Sequence, residues 1–269
     1  MIRASLLIST YNWPQALDLV LKSVSFQSQL PLEVVIADDG SSIETKTLID
    51  SYRQKLPIPI KHIWHEDKGF RKTIIMNQAV GQISGDYIIQ IDGDIILHPR
   101  FIEDHIHEAK SGFFIKGSRG RLTKSKSAQV LKTKNIFINP FSPGVKSTIN
   151  AIRYKAFSRF FYGEILETRN VKGCNFAVWK KDFIAVNGYN NALTGWGHED
   201  IELAARLVNA GVKHKQLKMV AVCYHIYHTL NSRAQEESNF HVYEEVLNAK
   251  ITRCTDGYEQ VVLKINQTL

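Results

Sequence analysis

Tyr87-Ile88-Ile89-Gln90-Ile91-Asp92-Gly93-Asp94 is the stretch whose reading decides the fold. Five residues this apolar, bounded by polar and turn residues, predict a short buried strand. In extended chain, residues two apart project to one side, so Asp92 and Asp94 can face one ion while Gly93 lets a diphosphate approach the backbone. Carboxylate oxygens suit a hard divalent cation, Mg2+ or Mn2+. An Asp-x-Asp on a surface turn would carry no such meaning, and its place at a buried strand end gives it one.

Upstream of that octet, Ala4–Ser9, Leu32–Ala37 and Ile60–Trp64 read as strands of the same kind. Helical spacing or start signals mark Pro14–Ser25, Glu44–Lys55 and Lys72–Ile83 between them. Alternation of strand and helix predicts an α/β fold, a Rossmann-like, mostly parallel sheet flanked by helices in a single domain. Ligands of such sheets gather at the carboxyl ends of the strands. There the sequence places Ser9-Thr10-Tyr11-Asn12, Asp38-Asp39-Gly40-Ser41-Ser42 and Asp92-Gly93-Asp94. Asp38 and Asp39 read either as a helix-entry turn or as carboxylates that accept hydrogen bonds from a nucleobase or ribose.

Downstream, Phe113 to Asn170 reads as a long basic excursion or lid with one helix over Ser147–Tyr162. Order returns with helices over Lys180–Val186 and Glu199–Ala210, a strand over Met219–Tyr224 and a last helix over Ser238–Ala249. The most informative segment is Gly195-Trp196-Gly197-His198-Glu199-Asp200. Two glycines around a tryptophan make a tight aromatic-walled loop, and the helix start that follows keeps a carboxylate ionised. A ring to stack on a sugar beside paired carboxylates is what deprotonating a sugar hydroxyl requires. Of the histidines in Val222-Cys223-Tyr224-His225-Ile226-Tyr227-His228, His225 is the preferred metal ligand, and imidazole would tilt the ion towards Mn2+.

Composition bounds the function classes. A chain of 269 residues with 44% hydrophobic content can bury a sizeable core. Three widely spaced cysteines without a Cys-x-x-Cys pair signal neither a disulfide framework nor a zinc site and fit a reducing compartment. No run approaches the roughly 20 apolar residues that span a bilayer, and the short run Ala4–Ser9 lacks the length of a signal peptide. The expectation is a cytoplasmic protein, whose contact with the inner membrane face would be peripheral. The formal charge is +8, with thirteen Lys/Arg from Lys116 to Lys172 against only Glu164 and Glu167. Such a face favours anionic partners, among them sugar nucleotides and lipid phosphates. No nucleic-acid-binding motif accompanies it, so nucleic acid is not an expected partner.

In order, Thr10-Tyr11-Asn12, Asp38-Asp39-Gly40-Ser41, Gly69-Phe70-Arg71, Asn77-Gln78-Ala79, Asp92-Gly93-Asp94 and Gly195-Trp196-Gly197-His198-Glu199-Asp200 resemble a family 2 glycosyltransferase of GT-A fold. From Val171 onward the chain resembles the carboxyl-terminal galactosyltransferase-like module also seen in bacterial chondroitin-type polymerases. The resemblance implies an inverting transfer of a sugar (Gal, GalNAc, GlcNAc or Glc) from a UDP-sugar donor to a glycan or lipid-linked acceptor, in polysaccharide or cell-surface glycan synthesis. It also implies that residues 1–110 form a nucleotide-sugar-binding half and 171–269 an acceptor-binding and catalytic half. Asp39 and Asp38 would contact uracil, Thr10 and Tyr11 would line its pocket, and Arg71 would lie near base or phosphates. Asp92, Asp94 and His225 would hold Mn2+, with Mg2+ as the alternative, Asp200 would act as base, and Glu199, Trp196, Gly197, His198 and Asn175 would position sugars.

Two departures stand out: His198 replaces the usual second glycine of Gly-Trp-Gly-Gly-Glu-Asp, and Met76-Asn77 replaces Arg-Asn. Two competing readings are a sugar-nucleotide pyrophosphorylase and a non-catalytic carbohydrate- or nucleic-acid-binding module. The first wants a Gly-rich basic loop where this chain has Ser9-Thr10-Tyr11-Asn12-Trp13-Pro14.

Overall fold

The computed structural model describes residues 2–161, 163–165, 167–229 and 233–268. Its first half alternates β1 (Ala4–Thr10), α1 (Pro14–Ser25), β2 (Glu33–Asp38), α2 (Ile43–Arg53), β3 (Ile60–Trp64), α3 (Lys72–Gly81) and β4 (Tyr87–Asp92). Each strand and helix expected there from the sequence is present to within two residues. Next come β5 (Ile95–Leu97), α4 (Phe101–Glu108), β6 (Phe113–Lys116), β7 (Ser118–Leu122), α5 (Lys124–Thr133), β8 (Val145–Lys146), α6 (Thr148–Ala151), α7 (Lys155–Ser158) and β9 (Gly163–Ile165). The chain ends with β10 (Phe176–Trp179), α8 (Lys180–Ala185), α9 (Glu199–Asn209), β11 (Lys213–Gln216), β12 (Val222–His225), α10 (Glu236–Asn248) and α11 (Tyr258–Thr268).

Among the described residues the main sheet runs β3-β2-β1-β4-β10-β6-β11-β9. Its β3-β2-β1-β4 half is parallel, and β10 reverses direction against both β4 and β6. The period-two alternation of buried strands sorts side chains between two layers. Leu6, Ile8, Val34, Ile36, Ile89 and Ile91 pack with Leu17, Val20 and Leu21 of α1. Leu7, Val35 and Ile88 pack instead with Ile75, Met76, Ala79 and Val80 of α3. Burying each such side chain is worth about 1.5–3 kcal/mol, so both faces of the sheet are held. A second sheet, β5-β12-β7-β8, stands beside the end of β4. Backbone bonds tie the two sheets together at the future site: Gly93 N–H donates to Ser9 O at 2.7 Å and Ile226 N–H to Asp94 O at 3.0 Å.

The basic middle segment departs from the sequence reading. Far from being one excursion, it supplies β6 to the main sheet, in parallel register with β11, and β7 to the second sheet beside β12. The helix expected over Ser147–Tyr162 is broken into α6, α7 and a 3-10 turn at Arg159–Phe161, and Tyr162 lies outside the described residues. Long-range partners win over helical continuity there. Arg153 forms a two-pronged pair with Asp104 at 2.7 and 2.8 Å, and Tyr154 N–H donates to Met219 O at 2.8 Å. The strand expected from Met219 begins only at Val222, because Met219 and Ala221 take left-handed backbone, φ 60° and 48°. Helix α10 is not the last, since α11 follows and lays Val262 beside Gly81 of α3.

Candidate active site

The ends of β1 and β4 and the start of α9 meet around Lys72, the first residue of α3. Its ammonium lies 3.1 Å from Asp92 Oδ1 and 3.5 Å from Glu199 Oε1. Burial opposes its charge, but Asp92, Asp200 and Glu199 together overcome this and raise its pKa well above the ordinary lysine value. Asp92 also accepts from Ser9 Oγ at 2.7 Å. Burial works against its ionisation, and Lys72 followed by Ser9 outweighs burial and lowers its pKa. Burial and then Asp200 raise the Glu199 pKa.

Asp200 sits in the first turn of α9, where the helix dipole favours negative charge. Its Oδ2 accepts from Gly173 N–H at 2.7 Å, and its Oδ1 accepts from Tyr189 OH at 3.2 Å. A Cβ on residue 173 would fall 2.2 Å from Asp200 Oδ1, so only glycine lets the chain approach this closely. Behind it, the Tyr189 hydroxyl also bonds the Gln90 side chain of β4, while Asn77 of α3 clasps both backbone groups of Tyr189 at 2.8 and 2.9 Å. Asn77 reaches Asn191 as well, and Asn191 is fixed in turn by Asp256 and Gly257. The departure at Met76-Asn77 thus leaves the asparagine as a buried clasp beneath the carboxylate.

Asp94, on the turn between β4 and β5, forms a second corner with His225 at the end of β12 and His228 beyond it. The two Nε2 atoms each lie 3.3 Å from Asp94 Oδ2, and among the described residues these three side chains present ligand atoms within 4.8 Å of one another. The preference for His225 over His228 therefore has no geometric basis. Burial and then Asp92 push the Asp94 carboxyl up to about 7, and its Oδ1 is buried without a hydrogen-bond partner. Burial and then Arg119 bring the His225 imidazole down to about 4, leaving it neutral and able to ligate at neutral pH. A buried carboxylate with an orphaned oxygen beside two imidazoles is a mixed O/N set that fits a divalent cation of the Mn2+ type.

Two cavities flank this centre. Thr10, Tyr11, Asp39, Asp92, Gly93, Asp94 and Trp196 wall one of about 360 Å3. Lys72, Asp92, Trp196, Gly197, His198, Glu199, Asp200 and His225 wall the other, of about 600 Å3. Asp39 is fixed by His65 Nε2 at 2.6 Å and by Arg71 N–H at 3.0 Å, and the Tyr11 hydroxyl donates to Asp67 at 2.9 Å. Gly93 has a second reason to be small: a Cβ there would meet Thr10 Oγ1 at 2.9 Å.

Asp38, Arg71 and Asn175, also expected at the site, line neither of these cavities. Asp38 is fully buried, one oxygen accepting from Ser41 N–H and the other paired with His62, so it braces the turn after β2. Arg71 turns its guanidinium to the carbonyl of Glu66. Asn175 spends its amide on the carbonyls of Ser118 and Ala221, both at 2.8 Å, and its oxygen on His105 at 2.9 Å. It braces the junction of the two sheets and only edges a third cavity, whose lining does not include Asp200. His198 holds the αL position before α9, φ 71°, where glycine would be the unstrained choice.

A model of "Glycosyl transferase family 2" matches residues 5–166, more than half of the chain. The chain belongs to glycosyltransferase family 2. A second family, described as "N-terminal domain of galactosyltransferase", matches residues 154–229. Among relatives, validoxylamine A glucosyltransferase of Streptomyces hygroscopicus subsp. limoneus is 25% identical over 77% of this chain and 48% of its own length. Hyaluronan synthase of Pasteurella multocida is 26% identical over 82% of this chain and 24% of its own length. The chain therefore spans half or less of these two relatives. Among solved structures, S. aureus TarS 1–349 in complex with UDP shares the fold with a TM-score of 0.63 at 14% identity, over 97% of this chain and 68% of that one. A Pyrobaculum calidifontis mannosyltransferase in complex with GDP-Man and Mn2+ does so with 0.57 at 14% identity, over 84% and 57%.

Within this family 2 glycosyltransferase, the sequence motifs alone did not mark Lys72, Tyr189 or Gly173. Lys72 follows the motif residue Arg71 directly, and the acids that surround it come from the distant positions 92, 199 and 200. Tyr189 and Gly173 carry no local pattern, and only the folded chain brings them to Asp200.

Proposed function

We propose that this protein is an inverting glycosyltransferase that moves a hexose or N-acetylhexosamine from a UDP-sugar, with Mn2+ or Mg2+, onto a hydroxyl of a glycan acceptor. The observation that carries the reading is Asp200, held by Gly173 and Tyr189, opening into the same 600 Å3 cavity as Asp92 and His225. The neighbouring cavity around Thr10, Tyr11 and Asp39 is the place for the nucleotide. The UDP complex of TarS and the GDP-Man and Mn2+ complex of the mannosyltransferase, both of the same fold, support a nucleotide-sugar donor and a metal.

In the mechanism that follows, Asp200 accepts the proton of the acceptor hydroxyl. The freed oxygen attacks the anomeric carbon from the face opposite the nucleotide, the bond to the diphosphate breaks, and the configuration inverts. Tyr189 and Gly173 keep the Asp200 carboxylate oriented, and Trp196 offers an aromatic wall between the two cavities. Asp94, His225 and His228, with Asp92 adjoining, would hold a divalent cation, which supplies Lewis-acid stabilisation of the departing diphosphate. Lys72 bridges Asp92 and Glu199 until the donor arrives.

The test is thermal stabilisation by a panel of UDP-sugars with and without Mn2+, followed by assay of UDP release with glycan acceptors. A donor that raises Tm only with metal is expected, because a ligand of the native state alone stabilises it. Pyrophosphate release from a nucleoside triphosphate without sugar transfer would restore the pyrophosphorylase reading.

A specific observation also favours peripheral contact with anionic membrane, and hence a lipid-linked acceptor. Tyr154, Phe157, Phe160 and Phe161 are exposed beside Lys155 and Arg159, an aromatic and cationic pairing suited to a lipid headgroup layer. Among the described residues no helix is long and apolar enough to cross a membrane. Co-sedimentation with phosphatidylglycerol vesicles but not with phosphatidylcholine vesicles, lost in Phe157→Ser/Phe160→Ser, is the expected result. Equal sedimentation of the variant would end this reading.

A further inference from the structure

The cationic stretch of the sequence is not used up by the carboxylate cleft. Lys116 at the end of β6, Arg119 and Arg121 on β7, and Lys172 just before Gly173 converge on a cavity of about 240 Å3. The two arginines are two residues apart on one strand and so share a face. Arg119, Arg121 and Lys172 also wall the 600 Å3 cavity that holds Asp200, so the two spaces adjoin. None of the residues lining the cationic cavity lines the one around Thr10 and Asp39. It therefore lies on the side of the cleft away from the nucleotide.

None of its four cations is in a direct ion pair among the described residues, although Arg119 is within electrostatic reach of Asp92. Several other partly buried cations of this chain have carboxylates, as Lys61 has Glu33 at 2.7 Å, Arg153 has Asp104 at 2.7 Å and Lys215 has Glu108 at 2.8 Å. Among the described residues none of Lys116, Arg119, Arg121 and Lys172 has a carboxylate oxygen within 4.0 Å. Arg119 donates instead to the Cys174 thiol at 3.0 Å, and burial pushes that thiol up to about 12, so it carries no charge. Burial, then Lys172 and Arg119, depress the Lys116 ammonium below the ordinary lysine range. Gathering like charges around a hollow without a counter-ion costs stability, and an anion in the hollow reverses that cost.

We propose that this cavity is a subsite for an oxyanion borne by the acceptor glycan, a phosphodiester or a uronate carboxylate, next to the hydroxyl that reacts. The proposal rests on reading the adjoining cleft as the transfer site. Guanidinium forks and an ammonium together match the planar or tetrahedral oxygens of such a group. The acceptor is accordingly an acidic glycan, and the cavity sets its register relative to Asp200.

The experiment is calorimetric titration of the metal-free protein with inorganic phosphate, methyl glucuronide and methyl glucoside, and a separate titration with UDP and Mn2+. Both are repeated on Lys116→Gln/Lys172→Gln. Phosphate and the glucuronide should bind at least tenfold more tightly than the glucoside, and the variant should lose at least tenfold for the anions while binding UDP and Mn2+ unchanged. Phosphate as the tighter anion marks a phosphate-bearing acceptor, and glucuronide as the tighter marks a uronate. Because removing the two ammonium groups relieves repulsion, the variant should melt no lower than the parent without ligand, which separates lost binding from misfolding. Glucoside binding equal to glucuronide, or anion affinity unchanged in the variant, overturns the subsite. Failure to bind UDP and Mn2+ while the anion preference persists overturns the transfer reading instead.

Discussion

Replacing Asp200 by Asn tests the chemistry with little disturbance to the frame. The carboxylate makes two hydrogen bonds, from Gly173 N–H at 2.7 Å and from Tyr189 OH at 3.2 Å. An asparagine keeps the first through its carbonyl oxygen and can reverse the second by donating to the tyrosine oxygen. The cost in stability should stay near that of one altered hydrogen bond, about 1 kcal/mol. The proton-accepting capacity is lost outright. A positioned general base contributes about 10²- to 10⁴-fold, which corresponds to roughly 3–5.5 kcal/mol of barrier. Transfer followed by UDP release should therefore show kcat lowered by at least about 100-fold. Donor binding, read from the Tm shift with UDP and Mn2+, should be unchanged because Asp200 does not line the nucleotide cavity. A variant with kcat within threefold of the parent and unaltered donor binding would refute the assignment of the base.

Three further outcomes are expected. Asp94→Ala removes the carboxylate shared by His225 and His228, so Mn2+ should no longer enhance UDP stabilisation, and EDTA should reproduce this in the parent; a persisting Mn2+-dependent Tm shift would place the ion elsewhere. Buried His105 and His214 are both held down to about 4 by burial, so the unfolded chain, titrating near 6.5, binds protons that the folded one refuses. Stability should be full above about pH 6.5 and fall as pH drops towards 4, by about 2 kcal/mol per ring at pH 5, and a flat unfolding midpoint between pH 7 and 5 would contradict it. His198→Gly relieves a non-glycine residue at φ 71° and should raise Tm by roughly 2 °C, offset in part by the lost ring contact with Phe240 at 5.2 Å; a lower Tm would show that the contact dominates.

The first ninety or so residues were legible because their signals are local. Alternating short apolar runs and helix starts between Ala4 and Asp92 specify elements that neighbours in sequence then pack together. The acidic residues at strand ends were visible for the same reason. What escaped was set by distant partners. Phe113–Lys116 looks like any apolar quartet before a basic stretch, and it becomes a sheet strand only because β10 and β11 flank it. The helix expected from Ser147 fails because Arg153 is drawn to Asp104, 49 residues earlier. The same logic explains Asn175: its sequence context suggested a sugar contact, but His105, Ser118 and Ala221 converge to consume its polar atoms. Lys72 was legible as a residue and not as a centre, since the acids that surround it come from positions 92, 199 and 200.

The clasp of Asn77 on Tyr189, with Gln90 and Asn191 as its neighbours, anchors Asp200 to α3 and β4, the same elements that bear Lys72 and Asp92. Of the cations around the 240 Å3 cavity, Lys116, Arg119 and Arg121 hang on β6 and β7 instead, while Lys172 directly precedes Gly173. The two sets of side chains thus rest largely on different strands and share one joint, the Lys172-Gly173 step that also holds Asp200. Changes confined to the exposed faces of β6 and β7 should leave the Asn77 clasp in place, whereas a change at Lys172 reaches Asp200 through the adjoining Gly173.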